Sequence, residues 1–294
     1  MSLSCRLKVT SCKLESLQSP TCNPQPNLAK SCYSTFMLLA VDVGNTSTVL
    51  GLFEGEAMRA HWRVATDQTR MADQYAVLLK NLLELDNLSP PTRAVISSVV
   101  PHVQRELSLA LFTYWQVESL GVSSGLLEPL LSVETDNPRE VGADRMVNAV
   151  AALAYDADAL IVVDFGTATN FDVIVKPNRL LGVALAPGPL VAAEALFSRA
   201  AKLPRVDLSA PEHAIGKNTV TALQSGLVYG YAEMVDGMVA RLAREVDPDL
   251  GRPLVVATGG FAEVIEGHCH RVDVFEPLLT LKGLQIIAKR LARP

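Results

Sequence analysis

The chain has 294 residues, 49% of them apolar, and a formal charge of −5; that length and composition support a large core and exclude global disorder. Residues 1–36 carry four basic residues and one acid, so the rest of the chain holds −8, and an acidic body without a basic cluster argues against nucleic acid as the main partner. The best apolar run, around Gly182–Ala193, contains Pro187 and Pro189 and falls short of membrane-spanning length, so we expect a soluble, cytoplasmic protein with no membrane partner.

Residues 1–36 differ from everything that follows. They are rich in Ser, Cys and Pro and show no period. Cys5, Cys12, Cys22 and Cys32 lie there at irregular spacing with no Cys-x-x-Cys pair, which argues against zinc. Cys269 is the one cysteine of the body, as fits a reducing compartment. Three readings of the segment are open: Met37 is the real start, the segment is a natural disordered tail, or it is an organelle transit peptide. Each leaves it outside the fold.

The body opens with an apolar run, Leu38–Val43, that ends in Asp42, turns through Gly44-Asn45-Thr46 and becomes apolar again to Gly55. That pattern predicts two strands and a tight turn, with a third strand near Met58–Val64. Met71, Tyr75, Leu78, Leu79, Leu82 and Leu85 sit at helical spacing, predicting a helix over 69–86 that Pro90-Pro91 stop. Ala94–Val100 reads as a buried strand and Pro101 as the start of a helix. Strand and loop are expected over 116–133, then a polar turn at 135–142 and a helix at Ala143–Ala154.

Residues 160–186 repeat the strand-turn-strand plan, and Pro187-Gly188-Pro189 lead into a helix at Leu190–Ala200. An irregular connection over 204–215 precedes a helix at Val220–Val246. Gly226, Gly230 and Gly237 within it suit close packing. A buried strand, Leu254–Ala257, runs into Thr258-Gly259-Gly260 and a helix from Phe261; a short strand, Val272–Phe275, and a helix, Leu278–Leu291, close the chain. His268 and His270 flank Cys269 without a suitably spaced fourth ligand, so a loop of no catalytic role is expected.

An offset of 122 places Val41 on Val163, Asp42 on Asp164 and Gly44 on Gly166. Each turn offers a carboxylate, hydroxyls and backbone N–H groups opened by glycine, which suits phosphate oxygens and a divalent cation. One copy alone reads equally as an ordinary turn. Two copies predict two similar halves with Asp42 and Asp164 facing one cleft. By position alone, Asp144 in a first helical turn reads as complementing the helix dipole, and Arg145 and Lys217 as solvated charges.

Asp42–Thr46, Asn137–Arg145, Val163–Thr169, Gly216–Thr219 and Ala257–Gly260, with smaller echoes at Trp62–Asp67, Ser97–Pro101 and Leu279–Leu284, occur together from Met37 onward. In that set the chain resembles type III pantothenate kinase, within the actin, sugar-kinase and heat-shock ATPase superfamily. The resemblance implies an α/β fold of two related actin-like (ribonuclease H-like) domains, 37–150 and 151–294, with mixed sheets flanked by helices and a nucleotide cleft between them. It implies transfer of the ATP γ-phosphoryl group to pantothenate, the first step of coenzyme A biosynthesis. Asp42, Val43, Gly44, Asn45, Thr46, Ser47, Thr48 and Val49 would form the first phosphate site and Gly166-Thr167 the second, with Gly259-Gly260 as the adenosine motif. Asp42 would organise Mg²⁺, directly or through water; Asp164 would bind a monovalent cation, K⁺ or NH₄⁺. Asp144 would be the general base, and Gly142, Ala143, Asp144, Arg145 and Thr219 would meet pantothenate. A homodimer is implied, with Thr219 serving the neighbouring subunit. Some members carry an aromatic residue just before Asn-Pro, where this chain has Thr135 and Asp136. Alternatives are another small acceptor on the same fold, such as a sugar or short-chain acid, or a non-catalytic regulatory relative.

Overall fold

The computed structural model describes residues 36–200 and 203–291; the readings of the N-terminal segment lie, Phe36 apart, outside the described residues. The chain runs β1 (Met37–Val43), β2 (Ser47–Glu54), β3 (Ala57–Ala65), α1 (Ala72–Leu85), β4 (Arg93–Ser98), α2 (Pro101–Trp115), β5 (Ser119–Gly121), α3 (Ser124–Leu127), β6 (Ser132–Val133) and α4 (Ala143–Ala152). It continues through β7 (Ala159–Phe165), β8 (Ala168–Val175), β9 (Arg179–Pro187), α5 (Pro189–Arg199), α6 (Thr219–Leu242), β10 (Leu254–Gly259), α7 (Ala262–Ile265), β11 (Val274–Phe275) and α8 (Leu279–Leu291).

The strands form two sheets on one plan. The first has the order β3-β2-β1-β4-β5, antiparallel from β1 to β3 and parallel from β1 to β5. The second has the order β11-β10-β7-β8-β9-β6, so β7, β8, β9, β10 and β11 repeat β1 to β5 in order and in sense. β6 adds an edge strand beside β9, parallel to it. The central strands β1 and β7 are nearly continuous apolar runs because both of their faces are covered.

Alternate residues of each sheet enter different cores. Leu39, Val41 and Ile96 pack under α1 and α2, whereas Leu38, Ala40 and Val95 face inward, meeting α4 and α8. Leu160, Val162 and Val256 of the second sheet enter that same inner core, and Ile161, Val163 and Val255 pack against α6 and α7 on the far side. α4 and α8 are thus the shared layer between two sheets. Mixed sheets flanked by helices are the α/β architecture that the resemblance implies.

Several elements depart from expectation. α1 ends at Leu85, ahead of Pro90-Pro91, because Asn87 turns left-handed at φ 54°; asparagine tolerates that region better than most residues. α6 starts at Thr219 because Asn218 accepts from the Thr221 N–H while Thr221 bonds back to Asn218, a reciprocal cap. α7 is a single turn, ended where Glu266 becomes extended. α3 was not foreseen. Past the glycine the repeat offset falls to 121, because Val43 pairs with Thr48 but Phe165 pairs with Thr169, one residue sooner.

Candidate active site

Asp42 stands in register with Val49 of β2 and Ser97 of β4, and Val49 with Arg63 of β3. Cross-strand partners share a face, so Arg63, Val49, Asp42 and Ser97 form one rank on the inner face. The second sheet carries the matching rank: Asn170, Asp164 and Thr258, with Leu185 in the place of Arg63. Both ranks lie at the carboxyl ends of their central strands, where α/β folds build ligand sites.

The two turns are held alike. The Gly44 N–H donates to Ser47 O at 3.1 Å and the Gly166 N–H to Ala168 O at 3.0 Å. The end of the third strand clamps each turn: the Thr66 N–H donates to Thr46 O and the Gly188 N–H to Thr167 O, both at 3.0 Å. In the first turn the Thr66 hydroxyl also donates to Gly44 O at 2.8 Å. Among the described residues the N–H groups of Asn45, Thr46 and Thr167 find no acceptor, and these three residues are exposed. Free, preorganised N–H groups in a turn suit an anion.

α4 brings the remaining groups to the ranks. Gly142 caps it, and a side chain there would collide with the Asp144 carboxylate, which folds back over the cap. Arg145, one residue on, donates from Nε and Nη2 to Asp172 Oδ1 of β8 at 2.9 and 2.5 Å. Asp172 is fully buried, and its Oδ2 has no partner among the described residues. Asn148 Nδ2 donates to Asp164 Oδ2 at 3.1 Å, and Thr280 of α8 donates to Asn148 Oδ1 at 2.8 Å. A chain of hydrogen bonds therefore fixes Asp164 from two helices.

The electrostatics mark a crowded carboxylate site. Burial, then the charges of Asp144 and Asp164, push Asp42 up to about 7 against the pull of Arg63. Burial, then Asp144 and Asp172, push Asp164 up to about 7, against the Asn148 hydrogen bond and Arg145. Burial also raises Asp172, opposed by its bond to Arg145. Yet among the described residues no three His, Cys, Asp or Glu side chains converge to hold a metal by themselves. An acidic cluster of this kind suits a cation that brings other oxygen ligands with it.

Beside the ranks opens a cavity of about 420 Å³ lined by Val49, His61 and Arg63 of the first sheet and by Gly259, Gly260 and Glu263 of the second half. Gly259 has φ 93°, and a Cβ there would stand 2.6 Å from both Asp164 Oδ1 and Phe165 O, so glycine is required by conformation and by space.

The structure gathers Asp42 to Val49, Gly142 to Arg145, Asp164, Gly166 and Thr167 at these strand and helix ends. Thr219 it does not: that residue is exposed at the first turn of α6, whose body packs on the other face of the second sheet. Arg145 is committed to Asp172 rather than free. Asp172, Asn148, Thr258 and Thr280 were missed. Asp172 had a signal, an acid inside the apolar stretch Phe171–Val175, because a buried carboxylate needs a counter-charge.

A family model described as type III pantothenate kinase matches residues 38–241. A type III pantothenate kinase of Thermus thermophilus is 55% identical over 250 residues, 84% of this chain and 97% of the relative. One of Deinococcus radiodurans is 49% identical over 252 residues, 85% and 95% of the two chains. Among solved structures, a putative 2-dehydro-3-deoxygalactonokinase of Sinorhizobium meliloti superposes with a TM-score of 0.53 at 15% identity, covering 87% of this chain and 97% of the other; it shares the fold. With this match across most of its described length, the chain belongs to the type III pantothenate kinase family.

Proposed function

We propose that the chain transfers the γ-phosphoryl group of ATP to the primary hydroxyl of pantothenate, giving 4′-phosphopantothenate at the start of coenzyme A biosynthesis, in the cytoplasm. The reading rests on the gathering of Asp42, Asp144 and Asp164 beside two turns with free N–H groups. Phosphoryl transfer asks a protein mainly to position its reactants and balance charge.

In this reading the sheet-bearing halves, 37–150 and 151–294, form the two walls of the site. The first turn and Gly166-Thr167 hold phosphates through N–H groups and hydroxyls. Asp42 orients the nucleotide's Mg²⁺, whose charge offsets that of the transferring group. Asp164, fixed by Asn148, holds K⁺ or NH₄⁺. Asp144 accepts the hydroxyl proton, a role worth roughly 10²–10⁴ in rate. Gly142, Ala143 and Arg145 line the acceptor site, and the guanidinium donors that Asp172 leaves unused meet the pantothenate carboxylate or amide. Thr219 reaches the acceptor from a second copy. That second copy makes the chain a homodimer in this reading.

The test is ATP-dependent conversion of pantothenate, with the product identified by mass spectrometry, in Mg²⁺ with and without K⁺. Formation of 4′-phosphopantothenate, stimulated by K⁺, is expected. Folded, ATP-binding protein that leaves pantothenate untouched but phosphorylates a sugar or short-chain acid would contradict the acceptor. Protein that phosphorylates nothing would point to a regulatory relative.

A further inference from the structure

We propose that Arg63 is a nucleotide-binding residue that grips the phosphate chain from the wall opposite the Gly259-Gly260 loop. This deepens the kinase reading and rests on it.

The two halves repeat one plan, so a difference between equivalent places is informative. At the outer end of the inner-face rank the first half has Arg63 and the second has Leu185, equivalent through their pairing with Val49 and Asn170. Leu185 is exposed and apolar. Arg63 instead lines the cavity of about 420 Å³ and reaches across it: a Cβ on Gly260 would stand 2.9 Å from Arg63 Nη1. Arg63 is two strands from Asp42 in the same rank, roughly 10 Å at the ordinary strand spacing, which brings its long side chain near that carboxylate.

Arg63 is also uncommitted. Among the described residues it makes no hydrogen bond or ion pair with a side chain, whereas Arg145 is bound to Asp172 and Lys282, on α8 beside the cavity, to Glu276. Among the described residues the cleft thus presents several carboxylates and one guanidinium without a hydrogen-bonded partner. A polyphosphate chain entering between the turns would meet repulsion from the acids and one cation able to offer two parallel N–H donors. Arginine forks match phosphate oxygens in that way. Within its own sheet Arg63 meets only the distant pull of its charge on Asp42, with no hydrogen bond to hold the guanidinium in place among the described residues.

The test measures equilibrium binding of ADP and of adenosine to the full chain, wild type, Arg63→Ala and Arg63→Lys. Loss of a charge-assisted contact predicts ADP binding weakened about 10- to 100-fold in Arg63→Ala, adenosine binding unchanged, and Arg63→Lys between the two. Equal losses for ADP and adenosine would overturn the proposal, because Arg63 would then only shape the Gly259-Gly260 loop. Unchanged ADP binding would overturn it and leave the kinase reading standing. Wild-type protein that binds no ADP would overturn both.

Discussion

Arg145 and Asp172 meet through one oxygen: Nε and Nη2 both donate to Oδ1, and Oδ2 stays buried without a partner among the described residues. The pair joins α4, which carries Asp144, to β8 of the second sheet. Asp172 is fully enclosed and the Arg145 side chain is 11% exposed, so removing one partner costs far more than removing both. Arg145→Met should lower unfolding stability by about 3–5 kcal/mol, because it leaves a buried carboxylate without its counter-charge. Arg145→Met with Asp172→Leu should recover much of that loss in urea unfolding. A double variant as unstable as the single losses added together would show that the pair is not coupled.

Asp42 and Asp164 predict a pH dependence. Both have an ordinary value of 3.8 and are pushed up to about 7 in the fold. Between about 4 and 7 the folded chain therefore holds protons that the unfolded chain has released. Their contribution to stability is present at the acid end of that window and is lost as pH rises through about 7. The melting temperature of metal-free protein should fall less steeply over pH 4.5–7.5 in Asp42→Asn or Asp164→Asn than in wild type. An identical slope in all three would contradict the assignment of strain to these carboxylates.

Gly259 links the loop after β10 to the second turn. Its φ of 93°, and the 2.6 Å that would separate a Cβ from Asp164 Oδ1, mean that Gly259→Ala must move either the loop or the carboxylate. A cost of about 1–3 kcal/mol from the strained backbone is expected, with weakened adenosine binding. Wild-type stability and binding in this variant would show that the loop has slack.

The two central strands and the repeat were legible because both are local: an apolar run, an acid and a glycine-bearing turn, twice. Register was not. That Arg63, Asp42 and Ser97 form one rank depends on pairing between strands far apart in sequence, and no spacing within β3 announces it. Asn148 and Thr280 looked like single polar residues on amphipathic helices, and only the packing of α4 against α8 turns them into a chain of bonds to Asp164. Thr219 illustrates the converse. Its Gly-Lys-Asn-Thr setting is plain in the sequence, yet within one chain it points to no partner. The helix expected over 69–86 ends at Leu85, and the left-handed turn at Asn87 comes ahead of Pro90-Pro91.

The most direct test is Asp144→Asn, read as kcat for pantothenate phosphorylation beside ADP affinity in the same preparation. Asp144 sits at the start of α4 with its carboxylate over Gly142, and asparagine keeps its size while losing the ability to take a proton. A fall in kcat of about 10²–10⁴ with ADP affinity unchanged is the predicted result. Turnover within a few-fold of wild type would contradict the assignment and place the base elsewhere in the site.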